Sequence, residues 1–307
     1  MSEYDAVIVG AGVIGLSTAY HIKRKHPSLR VLVVDKFNAA GQGSTAKSMS
    51  AFRCLFSSRV NYLLSDSSVD FYSYVQKELG VDLKLLMVGY LWLLGIDDYG
   101  EMTPILRNLA AANNLKYMEY EAEELASRLG VIVHLAGDEE AELMSLKFTD
   151  SFNSFGCMPF TILPKPRVLV RPFPVEEVFW LSYADDFPRA FKLEEDPQPE
   201  KNFYQYGIYQ VLVKYFPQFK DCRPYSSFAG LYEINTMDGH PVVFEEKDLI
   251  VVGGASGSGI MKADAIGRIA AALYNGENYA FLYGDRKFRV SDLSIKGRHV
   301  EPEKLQI

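Results

Sequence analysis

Residues 5–9 (DAVIV) form a short β-branched run that stops at Gly10, the pattern of a buried parallel strand. From residue 13 to 25 the apolar positions switch to helical spacing, with Ile14, Ala19, Tyr20 and Ile22 able to share faces. A second apolar run, 30–34 (RVLVV), ends at Asp35, which completes one βαβ unit. Helical patterns return over 59–79 and 101–114, with a strand between them at 89–94 (GYLWLL). Strand material interrupted by prolines fills 165–183, and the acidic stretch 185–203 is expected to run over the surface. A helix is expected over 204–216. Near the end, DLIVV (248–252) predicts a strand that runs into GGASGSG (253–259) and then a helix over 261–274. Both ends of the chain therefore offer strand, glycine-rich turn and helix.

Length and composition narrow the classes. A chain of 307 residues suggests one large domain or two interleaved ones. With 48% hydrophobic and 23% charged residues it has the balance of a globular protein rather than a disordered one. The net charge of −7 argues against nucleic acid as a partner, because phosphate binding needs a basic field. Cys54, Cys157 and Cys222 form no CxxC pair, so neither a disulfide framework nor a zinc site is expected. A reducing cytoplasm is the simplest location. The N-terminal residues carry acids where a signal peptide has bases, and no run of 18 apolar residues predicts a membrane span. The five histidines (21, 26, 134, 240 and 299) form no metal or triad spacing and read as surface or satisfied core residues.

Three segments carry candidate chemistry. Gly10-Ala11-Gly12-Val13-Ile14-Gly15 follows a strand, opens a helix and is followed by Asp35 twenty residues later. In that context the glycines permit a tight turn, close approach of backbone to a pyrophosphate, and close helix–strand packing, with Asp35 accepting from a ribose. The loop 41–53 (GQGSTAKSMSAFR) is built of small and hydroxyl residues, suited either to a phosphate or aromatic ring system or to a plain surface loop. GGASGSGIMKADAIG supplies a second glycine-rich turn at a helix N-terminus, beside Lys262.

These segments, with VVDK and AGLYEINTMDGHPVV, occur in the order found in the glycine/sarcosine/D-amino-acid oxidase (DAO) family of FAD-dependent amine oxidoreductases, which the chain resembles over nearly its whole length. Within that family it is most similar to archaeal dye-linked L-proline dehydrogenases, on GDEEAELM, LEEDPQPE and SGSGIMKADAIGR. The resemblance implies a noncovalently held FAD. Gly10, Ala11, Gly12, Val13, Ile14 and Gly15 would hold its pyrophosphate, and Asp35 with Lys36 its ribose. Gly43, Ser44, Thr45, Lys47, Ser48, Met49 and Ser50 would line the ribityl chain and flavin. Gly230, Gly257, Ser258, Gly259, Ile260, Met261 and Lys262 would close over the flavin. It also implies that Arg53 and Lys262 bind a substrate carboxylate and that Tyr232 lies on a strand facing the flavin. Arg53 as a surface arginine and Tyr232 as a core aromatic remain the alternatives.

The implied fold is mixed α/β: a Rossmann-like FAD domain, 1–60 with 225–285, interleaved with a mostly antiparallel substrate domain, 61–224, and a C-terminal extension at 286–307. One departure stands out. Only 147–162 occupy the place of a family βαβ unit, too few residues to form one, although VIVHLAG (131–137) mimics its strand. The implied activity is oxidation of an amino acid or secondary amine such as L-proline, with hydride passing to flavin N5. An aligned Trp180, in place of an oxygen-activating lysine, points to a dehydrogenase. The alternatives are a sarcosine- or glycine-oxidase-like enzyme using oxygen, or a noncatalytic dinucleotide-binding subunit. The expected partners are a small amine or amino acid and an electron acceptor, with homo-oligomerisation open.

Overall fold

A computed structural model describes residues 3–129, 144–147, 158–164, 166–174, 176–184 and 196–305. It divides into two compact units, one of Met1–Leu85 with Gly230–Gln306 and one centred on Leu86–Ala229. The first unit thus reaches past residue 60 and takes in the segment after 285.

The first unit opens with the βαβ unit. Strand β1 (Ala6–Val9) pairs in parallel with β2 (Val31–Val34), and α1 (Val13–Lys25) connects them. Helix α2 (Arg59–Lys77) follows, started by Ser58, whose side chain accepts a hydrogen bond from the Asn61 amide. The two units then alternate in sequence.

The second unit is built on a six-stranded sheet. Its strands are β3 (Tyr90–Leu94), β4 (Met118–Tyr120), β5 (Met144–Lys147), β6 (Phe160–Ile162), β7 (Leu169–Phe173) and β8 (Val178–Ser182), in the order β4-β5-β3-β6-β7-β8. Only the β3–β6 pair is parallel. Helix α3 (Ile96–Ala112) starts earlier than its apolar spacing predicts, because the Gly95 carbonyl already accepts from Tyr99 N. Helix α4 spans Ala122–Leu129. The single helix expected over 204–216 is a π-turn, Tyr204–Tyr209, running into α5 (Gln210–Tyr215). Leu91, Leu93, Val170, Leu212 and Phe216 form the core between one face of the sheet and α5. VIVHLAG and most of the acidic excursion lie outside the described residues.

The chain returns to the first unit through the antiparallel pair β9 (Val242–Glu246) and β10 (Leu249–Gly253), then α6 (Gly259–Tyr274) and the hairpin β11 (Tyr279–Leu282) with β12 (Arg286–Arg289). Helix α6 is buried around most of its circumference, against α1 on one side and α2 on another, which its alanines allow. Val60, Leu64, Ile266, Ile269, Leu282 and Phe288 form this unit's core. Among the described residues β1 pairs with β2 alone, and Val7 and Val9 are 57% and 85% exposed.

At the α1–α6 crossing a Cβ on Gly267 would lie 2.2 Å from Ser17 Oγ and 2.7 Å from the Ser17 carbonyl carbon. Gly267→Ala must push the helices apart. It is expected to destabilise the protein by roughly 1–3 kcal/mol, a fall in Tm of about 2–10 °C by calorimetry. An unchanged Tm would show that the crossing is not close-packed.

Candidate functional site

The glycine-rich turn after β1 is shaped by its backbone. Gly10 has φ +111°, open to glycine and costly for other residues, and its amide donates to the Val34 carbonyl at 2.7 Å. A Cβ on Gly15 would lie 1.9 Å from the Gly10 carbonyl oxygen, so only glycine lets α1 start this close to β1. Helix α1 has Gly12 as its N-cap, no side-chain cap and no acid in its first turn, Val13 to Leu16. Its leading amides and positive dipole end therefore face an anion position. Nothing lies within 4 Å of a Cβ built on Gly12, which leaves room for a phosphate against the backbone.

Asp35, at the end of β2, holds this turn in place. Its Oδ1 accepts from Phe37 N at 2.9 Å and its Oδ2 from Ala11 N at 2.6 Å. Those backbone bonds, Phe37 first, hold the carboxyl below the usual range. The side chain is exposed and keeps acceptor capacity for a ribose hydroxyl. Lys36 beside it lies with Nζ 5.1 Å from the Phe37 ring centroid.

The hydroxyl-rich loop is tied to the same turn, since Gly41 N donates to the Ala11 carbonyl at 2.9 Å. Gly43 precedes a single 3-10 turn at Ser44–Lys47. Ser48 Oγ donates to the Thr45 carbonyl at 2.7 Å and accepts from Ser50 N at 3.1 Å, so this hydroxyl shapes its own loop. Met49 is half-buried, and Ser50 sits at φ +44°. Residue 230 packs on this loop: a Cβ on Gly230 would meet the Lys47 carbonyl oxygen at 3.1 Å.

The second turn completes the group. Gly257 has φ +72°, and a Cβ there would come within 2.9 Å of the Tyr232 ring. Tyr232 is thus packed against the turn, half-exposed, with its phenol pKa raised by partial burial. It lies in a segment outside any described ladder rather than on the expected strand. Ser258 Oγ donates to the Ala255 carbonyl at 2.8 Å. Gly259 lies beside Ile14, 3.9 Å from its Cδ1 to a built Cβ, so the two glycine-rich turns meet. The Ile260 carbonyl accepts from Tyr72 Oη at 2.9 Å, and Met261 is buried.

The two expected cations part company. The Arg53 guanidinium is half-buried, stacks 4.7 Å from the Phe56 ring centroid, and donates from Nη2 to the Leu305 carbonyl at 3.1 Å. Lys262 faces α2 instead of the surface. It is 1% exposed, donates from Nζ to Asn61 Oδ1 at 2.8 Å, and lies 4.8 Å from the Phe56 centroid. The structure thus sets Lys262 on Asn61, buried, and does not bring it together with Arg53 as a pair of exposed cations. On a helix, neighbouring positions point about 100° apart, and position 262 points into the α2–α6 contact. Burial brings its pKa down to about 7, with Glu303 opposing and Arg53 adding to the fall.

Several polar residues at this site gave no signal in sequence. Asn61 bridges Lys262 to Glu303, accepting from the first and donating to the second. His240 is buried, bonded through Nε2 to Ser58 Oγ at 2.7 Å, and burial lowers its pKa despite nearby Asp238. Only Ser58, at the helix-capping position before 59, is visible from sequence rules. His21, buried and 2.7 Å from Asp264 Oδ1, is a satisfied core residue as expected.

The family model described as FAD dependent oxidoreductase (DAO) matches residues 5–146 and 130–273. The bovine protein "FAD-dependent oxidoreductase domain-containing protein 1" is 39% identical over 98 residues, and the Xenopus laevis one 36% over the same length. The matched stretch is 29% of this chain and only a fifth (20%) of those relatives. Among solved structures, L-proline dehydrogenase from P. horikoshii has a TM-score of 0.74 at 16% identity, covering 95% of this chain and 97% of that one. Glycine oxidase from Bacillus cereus gives 0.65 at 13%, covering 89% and 95%. The FAD-bound L-alpha-glycerophosphate oxidase from Mycoplasma pneumoniae gives 0.62 at 15%, covering 90% and 95%. At these identities the likeness is one of fold.

Lys262 binds its proton more weakly in the folded chain, at about 7, than its ordinary value of 10.5. Between these values the unfolded chain holds more protons, so stability rises with pH across that window and levels off outside it. Chemical denaturation from pH 7 to 10 should show this slope in the wild type and its loss in Lys262→Met. Equal slopes in both would place the buried ammonium elsewhere.

Proposed function

The chain belongs to the DAO family of FAD-dependent oxidoreductases and its cofactor is FAD; on that premise we propose that it oxidises an amino acid bearing a secondary amine, of the L-proline type, and passes the electrons to an acceptor other than oxygen. The flavin, when bound, supplies the two-electron redox chemistry. The chain's own residues bind and orient. The backbone amides at Gly12–Ile14 and the α1 dipole hold the pyrophosphate, and Asp35 accepts from the ribose. The turns at 43–50, 230–232 and 257–261 form the flavin-side wall.

Arg53 is the anchor for the substrate carboxylate, its planar guanidinium suited to a bidentate grip. Lys262, one layer below, adds background charge without touching the substrate. The observation that carries this reading is the meeting of the three turns, with Tyr232 packed on Gly257 and Gly259 beside Ile14.

The second reading is an oxygen-using oxidase, the alternative that the family resemblance implies.

Steady-state rates with L-proline, comparing an artificial dye with oxygen, separate the two readings. The dye is expected to support turnover and oxygen to support little. Fast oxygen consumption would favour the oxidase, and no bleaching with any amino acid would end the amine reading. Arg53→Ala should lower kcat/KM roughly 10- to 150-fold, the loss of one charge-assisted hydrogen bond of about 1.5–3 kcal/mol. Unchanged kcat/KM would remove Arg53 from the site.

The flavin is expected to be noncovalent. Cys54 lies in the same unit as the turns, but burial pushes its thiol up to about 12, so it offers almost no thiolate for attachment. Acid precipitation should leave the yellow colour in the supernatant; a yellow pellet would contradict this.

A further inference from the structure

Segment 298–305 runs across the start of α2, and its fixed point is Glu303. The carboxylate, 8% exposed, accepts at Oε1 from Ser57 N (2.9 Å), Ser57 Oγ (2.7 Å) and Leu305 N (2.9 Å). At Oε2 it accepts from Ser58 N (3.2 Å) and Asn61 Nδ2 (3.1 Å). Burial alone would raise its pKa, but the bonds from Ser57, Asn61 and Leu305 outweigh that and hold it ionised. Lys304 N closes the ring by donating to Ser57 Oγ at 2.6 Å. Behind it, Glu303 N donates to the Asp238 carbonyl at 2.9 Å, and Arg298 Nη2 to Asp238 Oδ1 at 2.6 Å. The immediate product of this anchoring is that the Leu305 carbonyl stands where Arg53 Nη2 donates to it.

We propose that Glu303 is a positioning residue for carboxylate recognition: it pins the strap 298–305, and the strap, with the Phe56 ring, sets the direction of the Arg53 guanidinium. This rests on Arg53 being the carboxylate anchor. Glu303 itself is buried on five donors and does not touch the substrate. An arginine side chain has many rotamers, and fixing them on binding costs affinity unless the fold has already done so. Releasing the strap moves that cost onto the ligand and should weaken carboxylate binding on the order of tenfold. A uniform loss of fold would instead weaken FAD and ligand together.

The test uses the FAD-loaded protein and calorimetric titration with tetrahydrofuran-2-carboxylate, which has the ring and carboxylate of proline but no amine to oxidise. Wild type, Glu303→Gln, Glu303→Asp, Ser57→Ala and Arg53→Ala are compared, and the Kd for FAD is measured for each. The expected result is a Kd for the analogue raised about tenfold in Glu303→Gln and less in Ser57→Ala and Glu303→Asp. The FAD Kd should stay within about twofold, as expected when fold and anion site are untouched. Trypsin should also cut at Lys304 faster in Glu303→Gln. If Glu303→Gln cannot hold FAD, Ser57→Ala decides. Wild-type affinity in the strap variants with weak binding by Arg53→Ala overturns the strap's role and leaves the Arg53 reading standing. Wild-type affinity in Arg53→Ala, or no binding by wild type, overturns both. Tighter binding in Glu303→Gln overturns the proposal, because the strap would then be a competitor.

Discussion

The contact between α1 and α6 is the constraint on which the first unit depends. The two helices come from opposite ends of the chain, and each starts at a glycine-rich turn. Gly267 set against Ser17 lets them cross closely enough for the turns to touch, with Gly259 beside Ile14. A larger residue at 267 would separate the helices and, with them, the two glycine-rich turns. Dispersion and area burial along α6 then hold the arrangement, since most of that helix is out of solvent.

Around this crossing the polar groups are organised by burial. Lys262 and Glu303 would each be costly alone in the interior, and Asn61 connects them with one hydrogen bond to each. Asp238 does similar work one layer away, accepting from Arg298 and from Asn235 Nδ2. These networks fix the loop 53–58 and the segment 298–305 against the start of α2. The carboxylate anchor proposed at Arg53 is therefore carried by a rigid backbone rather than by an exposed loop.

The second unit follows a different rule. Its sheet is antiparallel apart from one pair and has one face on an apolar core, while Tyr90, Arg171, Phe173 and Trp180 share the other. A guanidinium among rings is less hydrated than an ammonium and tolerates such a place. The sequence offers only strand material over 165–183, and the pairing of 171 with 180 is set by how β7 and β8 register against each other.

What the sequence determined by itself was local and periodic. The β1–α1–β2 unit, the glycines at 10, 12 and 15, Asp35 and the second glycine-rich turn are legible because strand and helix periods and backbone sterics act over a few residues. The small number of residues at 147–162 was also countable. Tertiary structure decided which way side chains on those elements point. Lys262 reads as a cation beside a glycine-rich turn, yet the azimuth of α6 against α2 buries it on Asn61. Tyr232 reads as a strand residue, yet its place comes from packing on Gly257. Glu303 had no local signal at all, because its five donors come from residues about 245 positions away and from its own neighbour Leu305. Side-chain direction between distant elements is set by packing, and packing is not written in any short window of the chain.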